Sequence, residues 1–309
     1  MITILALLLS PAFSGGAAPV TLYSTGFEPP DYDPAFTLVG QNGWVGSDNS
    51  SPCNGLFSDA FTGLGQHAYI GLFPANPGFT SYGVWQPLAA VPTNTIIRFS
   101  VEMAIIDSEN GSYDSFRWSV YNTEFDRLFS LDFDNLTLSI DYLLEDPPTF
   151  VPTGQRFAND TQYTLLITMD FGSNLWSASL NNLSLATNQP ITTTTNSPPN
   201  LGDIDAVWLY GQAASPGDNY MVFDNYTITA QSSAIQPRLT SLGHLNNQFL
   251  LRLTGELNRN YAIEAKTNLN SPVWAALRTN NTSTAGSFDF LDTTSSGLPR
   301  RFYRARLVP

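Results

Sequence analysis

Cysteine, histidine and charge are all scarce in this chain of 309 residues. Cys53 is the single cysteine, so no intrachain disulfide can form and stability has to come from packing or from a bound metal. A disulfide-free extracellular chain of this size points to a bacterial source. The two histidines, His67 and His244, leave little room for a catalytic triad, and no Gly-x-Ser-x-Gly turn occurs. They also exclude the usual Cys/His zinc sites. Cys53 itself sits in a loop-like Ser-Pro-Cys-Asn-Gly stretch and reads as inert. Charged residues make up 13% of the chain, about half of the roughly 25% usual for soluble domains. The polar surface therefore falls to Asn, Thr, Ser and Gln, a composition suited to the extracellular medium and to sugars. Thirteen Lys and Arg stand against 26 Asp and Glu, a formal charge of −13. That field repels nucleic acid and anionic membranes, and also anionic polysaccharides unless a local basic groove or a cation intervenes.

Long hydrophobic runs are missing too. The longest, Ile2 to Leu9, is too short to span a membrane. It is followed by Ser10-Pro11 and small residues to Ala18, the pattern of an export signal over residues 1–18 with cleavage between Ala12 and Ala18. Beyond it the chain is β-rich. Ser115–Tyr121, Tyr163–Asp170 and Leu175–Leu180 alternate apolar and polar residues with period two, and Gly and Pro punctuate the runs. No window holds three clean helical turns, so the class is all-β. Asn188 to Asn200 reads as a long loop. Residues 231–237, polar and ending in Pro237, read as a linker between a large domain (19–230) and a small one (238–309).

Two stretches carry a resemblance. Gly26-Phe27-Glu28 lies early, a meander of amphipathic strands follows, and Phe223-Asp224-Asn225-Tyr226-Thr227-Ile228 closes the large domain. This ordering resembles the concanavalin A-like lectin/glucanase jelly roll. The resemblance implies that the first and last strands are neighbours and that Glu28 and Asp224 meet at one edge, where a structural calcium ion would bind. Glucanases of that class carry a Glu-x-Asp-x-x-Glu strand, which is absent. The nearest substitutes are Asp132 with Asp134 and Asp203 with Asp205, and all four are expected to face solvent. The Gln-Ile-His and Arg-x-Glu-x-Arg motifs of jelly-roll lyases are absent as well, and His67 is expected to be structural. In the tail, Tyr261-Ala262-Ile263-Glu264-Ala265-Lys266-Thr267-Asn268-Leu269, Trp274 and Pro299-Arg300-Arg301-Phe302-Tyr303-Arg304-Ala305 resemble a C-terminal module of secreted proteins of the Planctomycetes–Verrucomicrobia type. That resemblance implies an Ig/fibronectin-III-like β-sandwich without a catalytic role.

Sugar recognition needs exposed aromatic rings. Trp118 and Tyr121 fall on opposite faces of one strand, and Trp208 is an alternative. Trp44 and Trp85, which border Gly and Pro residues, and Tyr82 are the ligand-binding candidates. The expectation is a secreted or cell-surface protein that binds a neutral glycan without catalysis. A polysaccharide hydrolase or lyase with an unfamiliar site, and a purely structural extracellular scaffold, are the rivals.

Overall fold

The computed structural model describes residues 18–308 except 50, 59, 73–78, 89–90, 92–94, 146–147, 194–196, 211–214 and 233–236. The expected export signal, apart from residue 18, and most of the expected linker lie outside the described residues. The chain divides into two compact units that meet at residues 233 and 234.

The large unit begins with β1 (Val20–Thr25), β2 (Val45–Gly46), β3 (Asn54–Ser58), β4 (Gln66–Gly71) and β5 (Ser81–Trp85). Next come β6 (Thr95–Ile106), β7 (Ser115–Tyr121), β8 (Arg127–Asp134), β9 (Ser139–Glu145) and β10 (Pro148–Arg156). It closes with β11 (Tyr163–Asp170), β12 (Leu175–Leu180), β13 (Leu183–Pro190), β14 (Asp203–Leu209) and β15 (Tyr220–Ser232). These build two antiparallel sheets. One has eight strands in the order β13-β12-β11-β6-β15-β4-β3, with β1 also paired to β15; the other has seven, β10-β9-β8-β7-β14-β5-β2. The first and last strands are therefore neighbours, joined from Val20↔Ala230 to Thr25↔Tyr226.

Alternation decides which residues fill the space between the sheets. From β6 it takes Ile97, Phe99, Val101 and Met103; from β7 Phe116, Trp118 and Val120; from β14 Ile204, Ala206 and Trp208. The complementary residues of β7, β8 and β14 (Arg117, Ser119, Tyr121, Asp132, Asp203, Asp205) lie on the outer face of the seven-stranded sheet. Trp44 and Tyr82 belong to the core, which corrects the expectation that they are exposed platforms. Trp44 is 1% exposed. A tight turn, with Trp44 N–H donating to Gln41 O and Gly40 N–H to Trp44 O, carries it inward. Its indole N–H donates to the hydroxyls of Tyr23 (3.0 Å) and Tyr32 (3.1 Å), and its ring packs on Phe27, Phe223 and Tyr226. Tyr82 is opposite Trp208 and its hydroxyl accepts from Asn54 Nδ2 at 2.9 Å. Trp208 is buried as well.

Two strands were hidden from periodicity. In β10, Pro148 and Pro152 interrupt the pattern, yet the strand lies at a sheet edge, where proline is tolerated. At the opposite sheet's edge β13 extends to Pro190, shortening the expected loop. Similarly β15 runs through Ser232, so Gln231 and Ser232 pair with Ile96 and Thr95 and do not belong to a linker.

The small unit contains β16 (Arg238–Leu245), β17 (Gln248–Thr254), β18 (Asn260–Lys266), β19 (Ala275–Asn281), β20 (Ser287–Asp292) and β21 (Phe302–Val308). They form two three-stranded sheets, β16-β17-β20 and β19-β18-β21, around a core of Leu251, Leu253, Tyr261, Ile263 and Phe290.

Replacing Trp44 by Ala is expected to cost about 3–5 kcal/mol, the usual penalty for emptying a buried aromatic site. Urea denaturation of the variant checks this; a loss below about 1 kcal/mol would contradict the core assignment.

Candidate functional site

The outer face of the seven-stranded sheet holds a depression of about 370 Å³. Arg117, Asp132, Asp134, Asp141 and Phe150 line it, with Tyr113, Ser115, Leu209 and Tyr210 at one end. Strand register brings these groups together. Arg117 of β7 is opposite Asp132 of β8, Asp132 is opposite Asp141 of β9, and β10 adds Phe150 at the edge. Arg117 grips Asp132 with two parallel bonds, Nε to Oδ1 at 2.8 Å and Nη2 to Oδ2 at 2.5 Å. Ser130 Oγ donates to the same carboxylate at 2.8 Å. Asp132 is therefore committed to structure. Asp141 keeps its proton to higher pH than usual because it is partly desolvated, with Asp132 and Asp134 adding negative charge nearby. Two rings remain open to solvent: Phe150, 55% exposed, and Tyr113, 41% exposed. The Arg117 guanidinium lies 6.0 Å from the Phe150 ring centroid. With three carboxylates and one arginine, the depression is acidic.

Beside it, on β14, lie Asp203 and Asp205. Both were expected to face solvent, yet both are buried. Their carboxyl groups are two residues apart on one face of β14 and repel one another when both are charged. Burial pushes Asp203 up to about 6 and Asp205 well above the carboxylate range, the second raised also by the charge of the first. The register places them opposite Tyr121 and Ser119 of β7. On the other side is β5, where a side chain at Gly83 would touch Asp205 Oδ2 at 3.6 Å. Trp85 follows on β5, half-buried and on the outer face, since Val84 points into the core. Of the three aromatic candidates from sequence, Trp85 alone is on this face. Phe150, Tyr113 and Arg117 escaped notice. For Phe150 the available signal was an aromatic flanked by two prolines, which marks an edge strand.

Glu28 and Asp224 come to one corner of the eight-stranded sheet. Glu28 Oε1 accepts from Gln66 N at 3.0 Å, and any Cβ at Gly65 (φ +86°) would collide with the Glu28 carboxylate. Asp224, 1% exposed, accepts from Asn225 N through Oδ1 at 2.6 Å. Its Oδ2 has no hydrogen-bond partner among the described residues and lies 3.6 Å from His67 Nδ1. The His67 ring is buried, and its Nε2 accepts from Phe61 N at 3.0 Å, so His67 has a structural role here. Among the described residues no cluster of three or more His, Cys, Asp or Glu side chains is arranged to hold a metal. Cys53 is buried, and burial pushes its thiol up to about 11.

No family model matches the chain, and no curated protein matches it. Several solved structures match the chain at low identity. A lectin from Bauhinia forficata in complex with GalNAc matches with 10% identity and a TM-score of 0.43, over 70% of this chain and 100% of the lectin. A Bacillus subtilis protein of unknown function with a galectin-like fold gives 11% and 0.42, over 69% and 96%. A sialidase gives 7% and 0.44, over 60% of this chain, but the match spans only 17% of the sialidase. Similarity at this level extends to neither site residues nor activity. Among the described residues no helix is long and apolar enough to cross a membrane.

The Asp203–Asp205 pair makes stability depend on pH. In the unfolded chain both titrate near about 4; folded, Asp203 titrates at about 6 and Asp205 higher. Between those values the folded state holds more protons, so stability falls as pH rises. Asp205→Asn is expected to melt above the wild type at pH 7.5, with the difference shrinking toward pH 4.5. Parallel melting curves across that range would show that the pair does not titrate as described.

Proposed function

We propose that the protein is a secreted, non-catalytic glycan-binding protein, and that a neutral saccharide occupies the depression on the seven-stranded sheet. The observation that carries this is the pairing of exposed rings, Phe150 and Tyr113, with fixed carboxylates in one open depression. A pyranose presents an apolar face to a ring and a rim of hydroxyls to acceptors, and Asp134 and Asp141 are acceptors of that kind. The acidic lining disfavours uronates and sulfates at this place.

The geometry argues against a glycosidase. Two catalytic carboxyl groups flank the scissile bond at about 5–9.5 Å. Asp203 and Asp205 are instead buried two residues apart on one strand, while Asp132 is held by Arg117. Neither set leaves an acid and a base on opposite sides of a ligand.

The corner at Glu28 and Asp224 is proposed as a structural calcium site. A buried carboxylate oxygen without a hydrogen-bond partner among the described residues and a glycine that leaves room for Glu28 are what a hard cation requires. With two carboxylates, the other oxygens of a six- to eight-ligand shell would come from main-chain carbonyls. The small unit is read as a fibronectin-III-like module on the strength of its two three-stranded antiparallel sheets.

A neutral-glycan array, with a reducing-sugar assay on the same panel, tests the main proposal. Binding without release of reducing ends is expected. Phe150→Ala is expected to weaken it about threefold to tenfold, the worth of an aromatic contact of about 0.5–1.5 kcal/mol, with an unchanged melting curve. Product release would overturn the non-catalytic reading, and undiminished binding by the variant would move the ligand elsewhere. For the metal, calcium at about 100 times Kd should raise the melting temperature by about 5 °C or more, and EDTA should reverse the gain. Asp224→Asn should remove the response; indifference of the wild type to both reagents eliminates the site.

A further inference from the structure

The cations of this chain are not spread evenly. Nine of its 13 Lys and Arg residues lie in residues 238–309, together with four of its 26 Asp and Glu. The small module thus carries a formal +5, and residues 1–237 carry −18. Eight of the nine cations are arginines.

One face of the module gathers three of them. On β18, Ile263 belongs to the module core, and on β21 Tyr303, Ala305 and Leu307 pack against it, as does Leu277 on β19. By alternation Glu264, Lys266, Arg304 and Arg306 occupy the opposite face of the β19-β18-β21 sheet. Three cations thus share that face with one carboxylate. The carboxylate is buried: Glu264 is 7% exposed. Its Oε2 takes Arg304 at 2.6 Å and its Oε1 lies 3.5 Å from Arg306, so one acid holds two guanidinium groups side by side. Lys266 Nζ donates to Leu269 O (3.0 Å) and Ser271 O (2.9 Å). The Trp274 ring lies against both Lys266 Nζ (4.4 Å) and Arg304 Cζ (4.6 Å). Long cationic side chains ordinarily surrender rotamer freedom when they bind. Here three of them are fixed in advance by Glu264, by main-chain carbonyls and by Trp274.

We infer that this face is a second binding site, for a linear polysaccharide bearing sulfate or carboxylate groups. Guanidinium forks match both groups with paired hydrogen bonds. The flat face of a three-stranded sheet suits an extended chain. Duplex DNA is a poorer occupant, because its dense charge is opposed by the −18 of the rest of the chain. The two units then divide the labour by charge, the acidic depression taking uncharged sugar and the basic face taking polyanion.

The full-length protein is tested against immobilised dextran sulfate, polygalacturonate, neutral dextran and duplex DNA, at 50 and 300 mM NaCl. Retention on one or both charged polysaccharides is expected at low salt, with at least about a tenfold loss at high salt, and none on dextran. The two charged arms separate sulfate from carboxylate. The variant Arg306→Gln leaves the Arg304–Glu264 pair in place and should bind at least about fivefold more weakly, the worth of about 1 kcal/mol, with an unchanged melting temperature. Arg306→Lys should recover part of the loss, and Phe150→Ala should leave this binding unaffected. Failure to bind either polyanion at 50 mM NaCl overturns the site. Equal or stronger binding to DNA overturns the saccharide assignment, and full binding by Arg306→Gln overturns the face.

Discussion

The large sandwich rests on a continuous aromatic contact between its sheets. Trp44 meets Tyr226 at a centroid distance of 5.2 Å, Tyr226 meets Phe99 at 4.9 Å, and Trp118 meets Phe223 at 5.5 Å. Farther along, Phe129 and Trp176 stack at 4.0 Å. With no disulfide available, these rings do the joining that a crosslink does elsewhere. Large rings bury much apolar area for little side-chain entropy. Their polar atoms are satisfied inside: Tyr226 hydroxyl donates to Ile204 O at 2.9 Å, and Trp208 Nε1 donates to Asp114 Oδ2 at 3.0 Å.

That core dictates where chemistry can sit. A strand that commits Phe116, Trp118 and Val120 inward must turn Arg117, Ser119 and Tyr121 outward. Its partner, committing Phe129, Leu131 and Phe133, must turn out Ser130, Asp132 and Asp134. The outer face of the seven-stranded sheet is thus polar by construction. The cost appears at β14, where two acids are buried on that face and relieve their repulsion by keeping a proton. The Arg117–Asp132 pair solves the same problem with an opposite charge and a bidentate geometry.

Much of this was legible in the sequence, and the misses have physical causes. Period two located Ser115–Tyr121, Tyr163–Asp170 and Leu175–Leu180 as strands to the residue, because each has one face in the core. The opposition of Trp118 and Tyr121 followed from the same rule. The pairing of the first and last strands came from resemblance and not from period. What periodicity cannot show is the fate of an aromatic in a turn. Trp44 lies among glycines and looked exposed, but a turn closed by Gln41 aims it inward. Tyr82 failed for a different reason: its strand is short, and the alternation of Tyr82 and Val84 is interrupted by Gly83. Phe150 was lost because Pro148 and Pro152 mask an edge strand. The burial of Asp203 and Asp205 depends on neighbours from β5 and β7, which are more than a hundred and about eighty residues away in sequence.

Charge shows most clearly how composition can mislead when averaged over a chain. A total of −13 argues against any polyanionic partner, and for the large unit that argument stands. The same total conceals a module in which every acid is answered by arginine. Glu264 is met by Arg304 and Arg306, Asp292 by Arg301, Asp289 by Arg252, and Glu256 by Arg259. Once those pairs are formed, what the module shows to solvent is positive. The exposed pairs Arg252–Asp289 and Arg259–Glu256 contribute little to stability, about 0–1 kcal/mol each, whereas Asp292 and Glu264 are buried. The consequence shared by all of them is positional, since each acid orders the guanidinium it holds. A surface of ordered arginines on one unit and ordered carboxylates on the other presents opposite charges, and screening at about 8 Å under physiological salt keeps each local.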